Sequence, residues 1–229
     1  MEKIVVTGAT GGLGKVVVEH LLNNQYKVIA IIRKQEDAAR LEPLTDNAAL
    51  SWAVAELTDS TAVERIAKEH HDTFGIVHLA GGFAAAEKLG STSTDDYMRM
   101  LRINVDTTFT VLQQFMPVLL RNQRGSIVTI GARAAVEPNG SNAAYAAAKA
   151  ALLQLTRNAA KEGIGHGVRA NAILPGIIRT EANMEWGSAA QMEKWTSPAS
   201  IAAVISFLLS ENGAGINDTF IKMYGDLAD

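Results

Sequence analysis

Residues 3–25 read KIVVTGATGGLGKVVVEHLLNNQ, and this stretch decides the fold. A short run of β-branched residues leads into a glycine cluster, after which apolar residues recur at helical spacing. The pattern predicts a strand, a tight turn and a helix that begins at the turn. Gly8 permits the turn out of the strand, Gly12 lets the backbone approach a pyrophosphate, and Gly14 lets the helix pack closely on the sheet.

Phosphate binding is the chemistry that this turn favours. Exposed backbone amides and the positive end of the helix together hold an anion. The phosphate loop of nucleoside triphosphatases would need glycine at position 9 and Ser or Thr at position 16, whereas the chain has Ala9 and Val16. The stretch therefore indicates a dinucleotide cofactor, and a glycine-rich turn without a ligand is the alternative.

The composition is that of one globular domain. The chain has 229 residues, 48% of them hydrophobic, and a formal net charge of -3, so it can bury a sizeable core. No apolar run approaches the roughly 20 residues of a bilayer span, and Met1 leads directly into the first strand. We expect a cytoplasmic protein without cysteine chemistry, since cysteine is absent, and the mild negative charge does not favour nucleic acid or a membrane.

Seven apolar runs alternate with segments of helical periodicity, among them Thr61 to Glu69 and Tyr97 to Leu120. Because parallel strands need crossover connections, which helices usually supply, the alternation predicts an α/β fold with a doubly wound, seven-stranded parallel sheet. One domain should span residues 1–229. The predicted strands are Lys3–Thr7, Lys27–Ile32, Leu50–Ala55, Gly75–Ala80, Ser126–Ile130, Arg169–Leu174 and Thr219–Met223.

Four short motifs give the chain a resemblance to the short-chain dehydrogenase/reductase family along nearly its whole length. They are TGATGGLG at 7–14, Asn104 in LRINVDTTF, YAAAK at 145–149 and LPGIIRT at 174–180. Each motif alone could arise by chance, but four in the right order are a much stronger signal. The resemblance implies a Rossmann-type fold, an NAD(P) cofactor and hydride transfer to a small-molecule substrate.

Tyr145 and Lys149 lie one helical turn apart. Reduction of a carbonyl by a hydride places negative charge on oxygen, which a general acid must protonate. A free tyrosine has a pKa of about 10, and we expect the lysine, with the charge of an oxidised nicotinamide, to lower it. The resemblance implies that Lys149 also holds the nicotinamide ribose and that Asn104 anchors a water of the proton relay. An exposed helix lysine and an asparagine that bonds nearby backbone are the alternatives.

The serine that usually completes such a site is missing. It precedes the tyrosine by thirteen positions in the family, and Ala132 occupies that position here. Loss of one such hydrogen-bond donor typically costs about 2.7 to 4 kcal/mol of transition-state stabilisation. Three explanations stay open: Thr129, Ser141 or Asn142 supplies the hydrogen bond, the substrate does not need it, or the protein is a nucleotide-binding regulator or scaffold without turnover.

The second explanation has a parallel in the dihydropteridine reductases, which this chain partly resembles. The similar stretches are GARAAVEP at 131–138, AGGF at 80–83 and EKWTSPASIA at 193–202, and these enzymes also carry alanine at the serine position. Their quinonoid substrate is reduced through a conjugated C=N system, which makes the serine less necessary. We therefore expect a carbonyl or a conjugated imine or quinonoid ring as the substrate.

The end of the second predicted strand favours NADP over NAD. Ile32 stands where an NAD enzyme places an aspartate on the ribose hydroxyls, and the cations Arg33 and Lys34 follow, which suits a 2′-phosphate. Solvated loop charges are the alternative. Besides Tyr145 and Lys149, the resemblance implies cofactor contacts from Thr7, Leu13, Glu56, Leu57, Ala80, Gly81, Pro175, Gly176 and Thr180.

The histidines are expected to be structural. His78 and Leu79 stand where the family commonly has two asparagines, and His78 should lie in the core or at a strand end. His70, His71 and Asp72 are consecutive, so their side chains diverge and we expect no metal site.

Two further segments concern the substrate and the assembly. Residues 181–197 follow the PGIIRT motif, where the family carries a lid, and their Met and Trp residues suit either covering a substrate or packing on the core. The stretch Ala143 to Ala160 is rich in Ala and Leu on more than one face, which predicts a homodimer or homotetramer.

Overall fold

A computed structural model describes residues 1–83 and 87–226, and its sheet is parallel throughout, in the order β3-β2-β1-β4-β5-β6-β7. The order reverses direction between β1 and β4, which makes the sheet doubly wound. The predicted fold class is confirmed. The strands are β1 Lys3–Thr7, β2 Lys27–Ile32, β3 Leu50–Val54, β4 Thr73–His78, β5 Gly125–Ile130, β6 Val168–Pro175 and β7 Phe220–Met223.

Helices cover both faces of this sheet. Within the described ranges they are α1 Gly12–Asn23, α2 Ser60–Glu69, α3 Thr94–Leu101, α4 Thr107–Asn122, α5 Ala143–Glu162, α6 Glu181–Met184, α7 Ala189–Met192 and α8 Pro198–Leu209. A π-helical turn at Arg102–Asp106 joins α3 to α4, so the helix predicted at 97–120 is longer and interrupted. A 3₁₀ helix at Gln35–Leu41 follows β2.

Alternate strand residues bury their side chains in two separate cores. Val6, Val28 and Val77 pack with α1 and α8 on one face. Val5 and Ile76 pack with α2, α4 and α5 on the other face. Because both faces are covered, the strands are apolar at nearly every position, as is usual for parallel sheets.

Five of the seven strands have bounds that differ from the prediction by one or two residues: β5 starts one residue earlier, β6 extends by one residue at each end, and β7 starts one residue later. β3 ends at Val54 instead of Ala55, and β4 occupies Thr73–His78 instead of residues 75–80. Leu79 and Ala80 extend the apolar run, but beyond His78 the chain leaves the sheet and forms a loop. Across the described ranges, no helix has both the length and the apolar character that crossing a bilayer would require.

Candidate active site

The turn between β1 and α1 depends on close backbone contacts. Gly8 has a left-handed backbone with φ of +67, and a Cβ there would lie 2.7 Å from the Ala80 amide nitrogen. A Cβ on Gly14 would overlap the Gly8 carbonyl oxygen, and one on Gly12 would lie 3.0 Å from the Thr180 Cβ. Glycine therefore leaves bare backbone at the start of α1, a cradle of the kind that fits a pyrophosphate.

A groove of about 510 Å³ lies beyond the carboxyl ends of β1 to β4. This is where open α/β sheets bind ligands. Six of the predicted cofactor residues line it: Gly8, Arg33, Glu56, Leu57, Ala80 and Gly81. Lining residues that sequence reasoning missed include Thr10, Gly11, Asp37, Arg40, Thr58, Arg102 and Thr107.

The remaining predicted cofactor residues stand behind or beside the groove. Thr7 is buried beneath it, Leu13 packs against the core under α1, and Pro175 ends β6. The Gly176 amide donates to the Met223 carbonyl at 3.0 Å. Lys34 is exposed and does not line the described groove.

The cofactor contact of Lys34 stays a prediction, and Asp37 and Arg40 lie on the groove wall instead. The 3₁₀ helix that begins at Gln35 turns them there. Their opposite charges three residues apart, a few residues after the strand that ends at Ile32, were a usable sequence signal. Arg102 and Thr107 gave no such signal, because their position depends on the π-helical turn.

Side chains from β1 hold the loop that follows β4. Thr7 Oγ1 accepts a hydrogen bond from the Ala80 amide at 3.3 Å and lies 2.9 Å from His78 Nδ1. Since Thr7 already accepts from Ala80, its hydroxyl is best directed at Nδ1, which assigns the imidazole proton to Nε2. His78 is buried, as predicted, and within the described residues its Nε2 has no partner.

Asn104 holds the same loop from the other side. Its Oδ1 accepts from the Gly82 amide at 3.2 Å, and its Nδ2 donates to the Gly82 carbonyl at 3.0 Å. Nδ2 also donates to the Met100 carbonyl, and Thr108 Oγ1 donates to the Asn104 carbonyl. These side-chain bonds to helix carbonyls lie at the π-helical turn. Asn104 does bond nearby backbone, and its role as a water anchor stays a prediction.

Lys149 and Tyr145 meet this loop at the end of the groove. Lys149 is 5% exposed, so the reading as an exposed helix lysine is wrong. Its ammonium lies 5.9 Å from the centre of the Tyr145 ring. A Cβ on Gly81 would come within 3.3 Å of Lys149 Nζ and 2.6 Å of Asn104 Oδ1, so these three residues converge.

Burial shifts the pKa values of both Tyr145 and Lys149. It raises the pKa of Tyr145 to about 12 and lowers the pKa of Lys149 to about 8. Desolvation of the phenolate raises the tyrosine pKa within the protein itself, and the lowering expected together with the charge of an oxidised nicotinamide stays a prediction.

The family match extends over most of the chain. Residues 2–191 match the short chain dehydrogenase family. The chain belongs to this family. An uncharacterized oxidoreductase of Staphylococcus epidermidis is 28% identical over 96% of this chain and 97% of its own length. The 3-oxoacyl acyl-carrier-protein reductase FabG of Escherichia coli is 25% identical over 97% of this chain and 96% of its own length. Among solved structures, ElxO with NADP bound has a TM-score of 0.90 at 25% identity, covering 98% of this chain and 97% of that one.

As a short-chain dehydrogenase, the protein is an oxidoreductase with an unusual residue after β5. Ala132 is buried, and it lies just beyond the end of the strand. Thr129 cannot replace the missing hydroxyl, because it is buried and its Oγ1 pairs with Thr156 Oγ1 of α5 at 2.8 Å. Ser141 Oγ donates to Asn139 Oδ1 at 2.7 Å.

Asn142 is the remaining candidate of the three. It directly precedes α5, has a left-handed backbone with φ of 61, and lies three residues before Tyr145. Its Oδ1 is buried and has no partner among the described residues. Of the three proposed substitutes, Asn142 therefore has unused hydrogen-bonding capacity beside the tyrosine of this short-chain dehydrogenase.

Aromatic residues lie beside Tyr145 and in the segment predicted as a lid. Phe83 is 57% exposed and meets the Tyr145 ring edge to face, with centroids 5.2 Å apart. In the segment predicted as a lid, Trp195 is buried and packs on Trp186, which is exposed. Packing on the core thus applies to Trp195, and a role of the segment in covering a substrate stays a prediction. The described residues contain no cluster of three or more His, Asp or Glu placed to hold a metal.

Proposed function

We propose that this short-chain dehydrogenase is an NADP-dependent reductase in which Tyr145 is the general acid. The observation that carries the proposal is that Gly81 both lines the groove and adjoins Lys149. A Cβ built on Gly81 would lie 3.3 Å from Lys149 Nζ. A cofactor that runs along this groove reaches the Tyr145 and Lys149 pair. Glycine is needed there, since a larger residue would collide with Asn104 and Lys149.

The residues of the groove suit a phosphorylated dinucleotide. The turn from Gly8 to Gly14 would hold the pyrophosphate, Glu56 and Leu57 would flank the adenine, and Arg33 would meet the 2′-phosphate. Lys149 would bind the nicotinamide ribose. The bound NADP of the related ElxO supports this choice of cofactor. When bound, the reduced nicotinamide would supply a hydride to the substrate.

Tyr145 would protonate the oxygen or nitrogen on which negative charge develops. Its high pKa keeps the hydroxyl protonated before the reaction, and the Lys149 ammonium would stabilise the phenolate that remains after the proton has left. Asn104 keeps the loop at Gly82 in place, and a water bound near it would return a proton to the pair. The buried setting strengthens each of these electrostatic interactions.

The substrate class follows from Ala132 and its surroundings. Without the serine, the site offers less stabilisation to a localised alkoxide, and Phe83 presents an exposed aromatic face beside Tyr145. We propose a carbonyl flanked by conjugation, or a conjugated imine or quinonoid ring. Exposed apolar residues at Met98 and Phe109 support a homodimer or homotetramer.

Oxidation of NADPH by the purified protein tests the proposal. The substrates are a quinonoid dihydropterin, simple quinones, a diketone and a β-ketoacyl thioester. We expect turnover of at least one conjugated substrate, loss of turnover in Tyr145→Phe, and unchanged NADPH binding in that variant. Tyr97→Phe, which alters an exposed tyrosine of α3, is the matched control and should retain full activity.

The same experiment distinguishes the reductase from the alternative, a regulator or scaffold that only binds the nucleotide. That reading predicts NADPH binding with no turnover of any substrate in the panel. It also predicts that Tyr145→Phe changes nothing measurable, because a protein that only binds the nucleotide has no use for the phenolic proton.

A further inference from the structure

The loop between β5 and α5 contains an asparagine that is followed by glycine. Asn139 and Gly140 are both exposed, and Gly140 has a left-handed backbone with φ of +79. A Cβ on Gly140 would meet no atom within 4 Å, so the space around this residue is open. In an Asn-Gly pair the backbone nitrogen of the glycine can attack the side-chain carbonyl carbon of the asparagine, because no Cβ hinders the approach.

The side chain of Asn139 is held in a way that favours this attack. Its Oδ1 accepts hydrogen bonds from the Ser141 amide at 3.1 Å and from Ser141 Oγ at 2.7 Å. Negative charge develops on Oδ1 when the carbonyl carbon is attacked, and donors already directed at that oxygen stabilise the charge. Within residues 1–83 and 87–226, the Gly140 amide and Asn139 Nδ2 make no hydrogen bond. The attacking nitrogen and the leaving group are therefore both free to react.

We propose that Asn139 is a site of spontaneous deamidation. The Gly140 nitrogen loses its proton and forms a bond to Asn139 Cγ, and the bond between Cγ and Nδ2 breaks with release of ammonia. Water then opens the resulting cyclic imide at either of its carbonyls, which gives aspartate or isoaspartate. The net change exchanges ammonia for water, so the reaction needs no oxidant, reductant or second protein.

The isoaspartate product lengthens the main chain in a segment that is anchored at both ends. At one end Glu137 accepts a hydrogen bond from the Tyr224 hydroxyl at 3.1 Å. At the other end the amide of Ala143, the first residue of α5, donates to the Glu87 carbonyl at 3.3 Å. The main chain of isoaspartate runs through Cβ and Cγ, so the intervening residues must absorb an extra backbone atom. Asn142 is among them and is displaced.

Displacement of Asn142 is expected to reach the reaction. Asn142 lies three residues before Tyr145 and has a buried Oδ1. A shift of about 1 Å in the groups that position a substrate can lower a rate about 100-fold. We expect the deamidated protein to turn over at least about threefold more slowly than the fresh protein, with the same affinity for NADPH. This consequence for turnover rests on the proposed function, whereas the modification itself does not.

Two other asparagines provide matched controls for the chemical step. Asn47 Oδ1 accepts from the Ala49 amide at 2.9 Å, so its side chain folds back in the same way, but alanine follows it in the sequence. Asn212 is followed by Gly213, but Gly213 is buried and its amide donates to the Ser210 carbonyl at 3.1 Å. Each control therefore lacks a feature that Asn139 and its neighbours combine.

Storage of the purified full chain at about pH 8, followed by tandem mass spectrometry of its peptides, measures the three sites in one sample. We expect a gain of about one mass unit at Asn139 at least about tenfold faster than at Asn47 or Asn212. Storage at about pH 6 should slow the gain, because the attacking nitrogen must lose its proton. Ser141→Ala removes one donor to Oδ1 and should slow it about threefold. In heavy-oxygen water, the product should carry the heavy isotope.

Turnover of the stored samples measures the consequence. Asn139→Gln keeps an amide but would have to close a larger and less favourable ring, so this variant should retain its turnover while the wild type loses turnover in step with deamidation. Rates at Asn139 that do not exceed those at Asn47 and Asn212 would overturn the modification site. Complete deamidation of the wild type without loss of turnover would overturn its effect on the active site. If no substrate is reduced, the proposed function fails, and the mass measurement still decides whether Asn139 is the reactive residue.

Discussion

The Lys149 ammonium donates a hydrogen bond of 2.8 Å to the carbonyl oxygen of Ile130, the last residue of β5. This bond ties α5, which carries Tyr145, to the strand that leads to Ala132. It also satisfies one proton of a cation that is 5% exposed. The lysine is thereby held at the end of the groove by the protein's own backbone, in an environment that disfavours its charge.

Replacing Lys149 with methionine should abolish turnover without weakening the fold. Burial lowers the lysine pKa from 10.5 to about 8, so the charge costs stability at neutral pH, and methionine removes that cost. Loss of the bond to Ile130 offsets part of the gain. We expect the free energy of unfolding to rise by about 0 to 2 kcal/mol, and a loss of several kcal/mol would contradict this account of the lysine.

The pH dependence of unfolding gives an independent check on Lys149. From about pH 8 upward the unfolded chain still binds the lysine proton while the folded chain releases it, so stability should increase with pH in that range. Urea unfolding at about pH 7.5 and 9.5 should show this increase in the wild type and a smaller one in Lys149→Met. Values above about pH 10 are avoided, because the raised pKa of Tyr145 acts in the opposite direction there.

His78 should make the fold sensitive to acid. Burial lowers its pKa from 6.5 to about 3. Between these two values the unfolded chain binds a proton that the folded chain does not, so stability present above pH 6.5 is lost as the pH falls. By about pH 4.5 the loss due to this residue should reach roughly 2 to 3 kcal/mol.

A substitution isolates the histidine from the carboxylates that titrate in the same range. His78→Gln should reduce the difference in unfolding free energy between about pH 7 and 4.5 by that amount, whatever its effect at neutral pH. His71→Gln, at an exposed position after α2, is the control and should behave as the wild type. Equal acid sensitivity in all three proteins would refute the assignment.

Asn104 should control cofactor affinity through Gly82. Asn104→Ala removes both bonds to Gly82 and frees the loop that lines the groove, so the NADPH dissociation constant should increase about tenfold or more. Asn104→Asp keeps the acceptor for the Gly82 amide and should have a smaller effect. Quenching of NADPH fluorescence measures the dissociation constants of both variants. An unchanged affinity in Asn104→Ala would show that cofactor binding does not depend on the bonds between Asn104 and Gly82.

The fold could be read from the sequence because its signals are local. The glycine turn at residues 7–14 and the alternation of apolar runs with helical segments each depend on neighbouring residues. The end of β4 could not be read in this way, since Leu79 and Ala80 are as apolar as the strand itself. Beyond His78 the Ala80 amide donates to the Thr7 hydroxyl, a contact with another part of the chain that local sequence does not reveal.

The candidate site likewise contains some features that local sequence predicts and others that it does not. The Tyr145 and Lys149 pair was predictable because four residues make one helical turn. The hydrogen bonds between Asn104 and Gly82 were not predictable, because they join segments that are separate in the sequence. Thr129 was a wrong substitute for a reason that strand geometry could have supplied: it shares its side of β5 with Ile127, which packs toward α5.

Asn142 is expected to replace part of the missing serine's function. Asn142→Gly removes the amide but tolerates the left-handed backbone at φ of 61. Turnover should fall about 10- to 100-fold with little change in NADPH affinity, and Ala132→Ser in the same background should restore part of it. If Asn142→Gly turns over as fast as the wild type, the substrate needs no such hydrogen bond.

Phe109 should mark the surface through which copies of the chain associate. It is 50% exposed on α4, and Met98 of α3 is 56% exposed on the preceding part of the same long helix. The neighbouring α5 exposes Ala147 and Ala150, small residues that let a partner helix approach closely. Burial of these side chains between copies would remove apolar surface from water.

Sedimentation of Phe109→Asp against a matched variant tests this surface. Phe207 of α8 is 43% exposed on the opposite face of the sheet, so Phe207→Asp adds the same charge elsewhere. We expect a dimer or tetramer for the wild type and for Phe207→Asp, and a 24.4 kDa monomer for Phe109→Asp at micromolar concentration. A monomeric wild type would rule out self-association, and equal dissociation of the two variants would place the contact somewhere other than α4.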